Sequence, residues 1–80
     1  MLEATSQKRY TIGAKQVMKA LNSDMASKVY IASDCDPLIS EPVAKKASER
    51  AVTVEHVTTR KQLGEMVGIR VKASCAAALK

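Results

Sequence analysis

The side chains able to ligate a metal or attack a substrate are few and scattered. Cys35 and Cys75 stand forty positions apart, His56 is the single histidine, and Asp34 and Asp36 flank Cys35 ahead of Pro37. A structural zinc site wants four ligands, commonly in paired Cys or His spacings, and the chain has no C-x-x-C. Two free, partly buried thiols are the plain reading, and a mixed site with His56 or an aspartate is the metal alternative. The two aspartates are a carboxylate pair or, more simply, turn formers before a proline. His56 falls on a β-prone run with nothing placing a nucleophile beside it. Neither G-x-G-x-x-G nor G-x-x-x-x-G-K-[ST] occurs, so nucleotide phosphates lack their usual cradle. The spacing Gly64-x-x-x-Gly68 lies in an amphipathic segment and does not read as a membrane dimer motif. No catalytic residue, metal or cofactor is expected, and the chain does not read as an enzyme.

What remains is charge. Thirteen basic against eight acidic side chains leave +5 on eighty residues, which favours a polyanionic partner, most often nucleic acid. There is no Trp or Phe and only two Tyr, too few for the stacking platform of an RRM or an OB-fold. Binding would therefore rest on cations, helix ends and backbone donors, which narrows the search to two places. The first is Gly13-Ala14-Lys15-Gln16 with Lys19: a glycine opening a helix permits close approach, and first-turn N–H groups attract anions. Lys15 and Lys19 add charge on one face, and Gln16 both donates and accepts at a base edge. The second is Thr59-Arg60-Lys61-Gln62 with the loop Gly68-Ile69-Arg70-Val71-Lys72. Arg60 and Lys61 sit at the end of a helix that disfavours cations unless an anion docks there. Ile69 and Val71 bracket Arg70, either to pack against an unstacked base or to begin a strand. For both places the competing reading is a solvated basic surface.

These residues need elements to position them. Tyr10-Thr11-Ile12 is a short β-prone run stopped by Gly13. Val17, Ala20 and Leu21 then form the buried stripe of a helix, with Lys15, Lys19 and Asn22 opposite. Lys28-Val29-Tyr30-Ile31-Ala32 reads as an interior strand, and Ser33-Asp34-Cys35-Asp36-Pro37 as a loop. Ser40 is the expected N-cap of a second helix, with Glu41 and Pro42 in its first turn, Val43 and Ala47 buried, and Glu41, Lys45 and Glu49 as an exposed ladder. Val52 to Val57 alternates as a strand. Thr59 and Gln62 have the form of a capping box, before a stripe of Leu63, Met66 and Val67 and a stop at Gly68. The alanine-rich tail Ser74 to Leu79 fits either a helix or a last strand. Strands alternating with helices imply an α/β fold, a compact three-layer α-β-α sandwich in which alanines let thin layers approach closely. Eighty residues make one domain, residues 1–80. The start, residues 1–9, lacks the form of a secretory signal, and no eighteen apolar residues run together. With two cysteines only, a reducing cytoplasm is the expected location.

Three stretches follow one another in order: Ile12-Gly13-Ala14-Lys15-Gln16-Val17-Met18-Lys19-Ala20-Leu21, Ile31-Ala32-Ser33-Asp34-Cys35-Asp36-Pro37, and Lys61-Gln62-Leu63-Gly64-Glu65-Met66-Val67-Gly68-Ile69. Together they resemble the family of ribosomal-protein-like kink-turn RNA binders, which includes archaeal ribosomal protein L7Ae and small stand-alone bacterial members. The resemblance runs from about Tyr10 to Leu79. It implies a central sheet of about four strands, so that the alanine tail is a strand. It implies as ligand an RNA bent at a bulge beside tandem sheared G·A pairs, with ribosomal RNA or a structured messenger element as candidate sources. By the same resemblance Gly13, Ala14, Lys15 and Gln16 enter the groove at the kink and Lys19 lies near the backbone. Asp36 and Arg60, next to Lys61, face the extruded nucleotide, and Ile69, Arg70 and Val71 cover the bulged bases. Archaeal members carry Asn-Glu where Lys15-Gln16 stand, and the loop position of Arg70 is often acidic or small, so guanine selectivity is expected to be looser. The protein is expected to act as a monomer. The rival readings are a basic module for an acidic protein partner, and a thiol or metal protein built on Cys35, Cys75 and His56.

Overall fold

The computed structural model describes residues 10–80; the charge-rich start, residues 1–9, on which the absence of a secretory signal was read, lies outside the described residues. Four strands and three helices alternate: β1 (Tyr10–Ile12), α1 (Ala14–Asn22), β2 (Ala26–Ala32), α2 (Pro37–Glu49), β3 (Thr53–Val57), α3 (Arg60–Met66) and β4 (Cys75–Leu79). The sheet order is β1-β4-β2-β3. β4 runs antiparallel to both β1 and β2, pairing Ile12 with Ala76 and Ile31 with Cys75. β2 and β3 are parallel, with Ala32 opposite Val57, as a helical crossover through α2 requires. α1 and α2 pack against each other on one face while α3 lies against β2, β3 and β4, giving the expected three-layer α-β-α sandwich.

The alanine-rich tail is a strand. Cys75, Ala76 and Ala77 are fully buried at the centre of the sheet, where β4 is hydrogen-bonded on both sides. Helix propensity is outweighed there by two flanking ladders and by the need for side chains small enough to admit a helix on each face. Around it Val17, Leu21, Val29, Ile31, Val43, Ala47 and Leu63 form one continuous core. β2 starts at Ala26, two residues before the expected Lys28, and takes a bulge at Ser27, between the pairs Ala26–Leu79 and Lys28–Ala78.

Two sequence expectations fail. α2 is capped by Asp36, not Ser40: the Asp36 carboxylate accepts from the Leu38 N–H at 2.9 Å and Pro37 occupies the first helical position. Pro is favoured there because its missing N–H has no partner to lose. Pro42 therefore lies inside the helix. The α3 stripe is also narrower than expected, since Leu63 and Gly64 are buried but Met66 is exposed. All three helices end alike. Met25 and Asp24 donate to Ala20 and Leu21, Val52 and Ala51 to Ala47 and Ser48, and Ile69 and Gly68 to Gly64 and Glu65. That is the paired pattern of a Schellman close, with Asp24, Ala51 and Gly68 at the left-handed position. Only the third uses the glycine that makes such an end visible in a sequence.

Candidate functional site

The strand directions decide where the charged segments meet. β1, β2 and β3 all point one way and β4 the other, so all three helix starts and the segment entering β4 share one end of the sheet. A chain of hydrogen bonds stitches that end together. The Gly13 N–H donates to the Cys75 carbonyl at 2.9 Å, Ala32 N–H to Ser74 at 2.9 Å, and Ser33 N–H to Val57 at 2.7 Å. The Arg60 N–H donates to Asp34 Oδ1 at 2.8 Å, and the Ala73 N–H to the Arg60 carbonyl at 3.1 Å. Gly13, Ala14, Lys15, Gln16, Asp36, Arg60 and Lys61 thus lie on loops and first helical turns at a single end, and Ile69, Arg70 and Val71 lie on the segment that leads back along α3 from its C-terminal close toward that end. Lys19 stands one turn down α1 from Lys15, about 6 Å along the axis.

The three helix starts are not equivalent. α3 is capped by Thr59, whose hydroxyl accepts from the Gln62 N–H at 3.0 Å, and α2 by Asp36. α1 begins at Gly13 with no side-chain cap. Gly13 has φ +99°, a region open to glycine and strained for other residues, and it turns the chain from β1 straight into the helix. The Ala14, Lys15 and Gln16 N–H groups precede the first intrahelical bond, from Val17 to the Gly13 carbonyl. They are the unclosed donors of this end, and Lys15, Gln16 and Lys19 are exposed around them. This is a geometry for an anion, with the partial positive charge of the helix start behind it.

Around α3 the charges are mixed. Lys61, Glu65, Ile69, Arg70, Val71 and Lys72 line a groove of about 690 Å3. Val71 is 69% exposed, while Ile69 is half buried against the core. The segment 67–74 is therefore a loop that offers a cation and an apolar side chain outward, and the next strand begins only at Cys75. Arg60 is not a free cation: its Nε lies 3.4 Å from Asp34 Oδ1, the carboxylate oxygen that also takes the Arg60 N–H. The anion that accounts for a cation at this helix start is thus in part the protein's own. Sequence reasoning treated Asp34 as a turn former and missed this role, which depends on β2 and β3 lying side by side in parallel. It also passed over Leu38, 82% exposed in the first turn of α2 at the same end.

The reactive side chains do not assemble. Cys35 and Cys75 are buried and unbridged, and burial, with Cys35 nearby, pushes the Cys75 thiol up to about 11, the reverse of an activated nucleophile. His56 is exposed on β3, opposite Ile31. Among the described residues no group of three His, Cys, Asp or Glu is placed to hold a metal, and no helix is long and apolar enough to cross a membrane.

Comparison with known proteins agrees with this geometry. The family described as ribosomal protein L7Ae/L30e/S12e/Gadd45 matches residues 1–80. The chain is 35% identical over 77 residues to an RNA-binding protein of Caldanaerobacter subterraneus, covering 96% of this chain and 93% of that one. It is 38% identical over 72 residues to the RNA-binding protein YbxF of Geobacillus stearothermophilus, covering 90% and 88%. Among solved structures, a 15.5 kD RNA-binding protein of Giardia lamblia superposes with a TM-score of 0.84 at 26% identity, over 96% of this chain and 64% of that one.

Proposed function

The chain belongs to the ribosomal protein L7Ae/L30e/S12e/Gadd45 family, and on that premise we propose that it binds RNA bent at a kink-turn and stabilises the bend without catalysing a reaction. The observation that carries this reading is that the uncapped start of α1, with Lys15, opens at the same end of the sheet as the start of α3, with Lys61, beside which Arg70 and the apolar Val71 line a groove. A kinked RNA crowds its phosphates, and their repulsion disfavours the bend. Cations and helix N–H groups offset that repulsion most where the phosphates are closest, so they bind the bent population better than the straight one and shift the equilibrium toward it. The short side chains of Gly13 and Ala14 let the helix start approach a groove closely, and Gln16 meets base edges with a donor and an acceptor. Lys19 reaches the backbone one turn further on. Asp36, already engaged as a cap, shapes the loop that faces an extruded nucleotide beside Arg60. Ribosomal RNA and structured messenger elements both supply such bends, and the protein is proposed to meet them as a cytoplasmic monomer in a bacterial cell.

The test is a doubly labelled RNA carrying a bulge next to tandem G·A pairs, whose end-to-end distance is followed by energy transfer as protein is added at low salt. Shortening is expected; an unaltered distance refutes the proposal. Lys15→Ala or Gln16→Ala is expected to weaken binding to this RNA by about 1–3 kcal/mol, the range of one good base contact. An equal loss on an unkinked duplex argues against specific readout.

A further inference from the structure

We infer that Gly64 is the positioning residue of the loop that faces the nucleic acid: by carrying no side chain it lets residues 69–73 lie flat along α3 and holds Arg70 and Val71 in place before any RNA arrives. What the loop is for rests on the RNA-binding reading above; how it is held rests on geometry alone. Gly64 sits inside a seven-residue helix and is buried, where glycine is less favourable than alanine. Its backbone has no positive φ to excuse the choice. The reason is the approach of the loop. A Cβ on Gly64 would overlap the carbonyl oxygen of Val71, and would stand 3.2 Å from its carbonyl carbon and 3.6 Å from Ile69 Cγ1. The obstacle is backbone, which cannot swing aside as a side-chain tip can.

The loop is tied at both ends of this contact. The Ile69 N–H donates to the Gly64 carbonyl at 2.9 Å and the Ala73 N–H to the Arg60 carbonyl at 3.1 Å. Residues 60 and 64 are one helical turn apart on the same face. The chain therefore returns along α3 as a strap, anchored at Gly64, pressed against it through the Val71 peptide, and anchored again at Arg60. Ala73 is turned inward, 2% exposed, and Ile69 packs on the core. Arg70 and Val71 project outward. A strap held in this way meets RNA already ordered, so binding does not bear the entropy of fixing it.

Backbone relaxation and amide exchange of the free protein, with and without Gly64→Ala, test this. In the wild type, residues 69–73 should be as ordered as α3, with order parameters of about 0.85, and the Ile69 and Ala73 amides protected. In Gly64→Ala those two amides should lose protection while Val29 and Ala77 keep theirs. Affinity for the kinked RNA should fall roughly tenfold, the loss of one hydrogen bond to a charged group, and the log–log salt slope should flatten by about one phosphate contact. Arg70→Ala, harmful alone, should then cost nothing further. A merely structural glycine predicts instead that Arg70→Ala keeps its full effect in the Gly64→Ala background, and that result overturns the inference, as do unchanged amides and affinity. Should Gly64→Ala fail to fold, the wild-type loop decides: order parameters below about 0.6 over 69–73 refute the strap, and values matching α3 support it. A wild type that ignores kinked RNA overturns the RNA reading, whereas a mobile loop with intact binding overturns the role of Gly64 only.

Discussion

Asp34→Asn isolates a place where the protein competes with its proposed ligand. Asp34 Oδ1 lies 3.4 Å from Arg60 Nε and accepts the Arg60 N–H at 2.8 Å, with the two side chains 44% and 42% exposed. The substitution keeps a carbonyl oxygen for the backbone donor and removes only the charge, so the net charge goes from +5 to +6. At 3.4 Å the Coulomb energy is about 1 kcal/mol in a water-like dielectric, and exposed ion pairs contribute about 0.2–1 kcal/mol. That is the energy with which Asp34 holds the guanidinium away from a phosphate, and Asp34 also repels the phosphate itself. Both effects have the same sign. Asp34→Asn is therefore expected to tighten kinked-RNA binding by roughly 1.5- to 5-fold at low salt, the fold equivalent of that pair energy. The released cation should steepen the log–log salt slope by about 0.7–0.9, and stability should fall by no more than about 1 kcal/mol. Binding isotherms across a salt series, wild type against Asp34→Asn and Arg60→Ala, measure all of this. Weaker binding by Asp34→Asn, or a slope equal to the wild type's, refutes the idea that Arg60 is held in reserve by its own carboxylate.

Other consequences concern the scaffold. Ala51 closes α2 at φ +57°; a Cβ there costs roughly 1–2 kcal/mol and glycine's freedom in the unfolded chain returns about 0.5–1. Ala51→Gly should thus raise stability by about 0.5–1 kcal/mol, seen as a higher urea midpoint at unchanged m-value. Thr59→Ala removes the acceptor for the Gln62 N–H and should cost about 0.5–2 kcal/mol in the same assay. The Cys75 thiol, moved from 9.0 to about 11 chiefly by burial and secondly by Cys35, keeps its proton in the folded state where the unfolded chain has released it. Its contribution is complete below pH 9 and is lost as pH rises through about 11, on the order of 2 kcal/mol. Denaturation of wild type and Cys75→Ala at intervals from pH 8 to 11 should show their stability gap steady at first and then narrowing; a constant gap contradicts the shift.

Much of this protein is written locally in its sequence, because local signals act over one turn or one strand. The stripe Val17, Ala20, Leu21 placed α1 on the core, Thr59 with Gln62 marked the start of α3, and Gly68 marked its stop. Where two local signals competed, only the folded chain chose between them. Asp36-Pro37 starts α2 ahead of Ser40, since a carboxylate acceptor followed by a proline at the first helical position closes the end better than a serine four residues later. The alanine tail became a strand because the sheet needed a thin, doubly paired centre, which no property of Cys75-Ala76-Ala77-Ala78-Leu79 in isolation announces. Charge and residue type single out Lys15, Gln16, Arg60, Lys61 and Arg70 as candidates for an anion-binding surface. That Lys15, Gln16, Arg60 and Lys61 share one end of the sheet follows from strand direction, and the Asp34–Arg60 pairing and the fit of Val71 over Gly64 follow from contacts between segments that the chain separates. Residue chemistry is a property of the sequence; the juxtaposition of distant residues is a property of the sheet order β1-β4-β2-β3, which long-range packing alone selects.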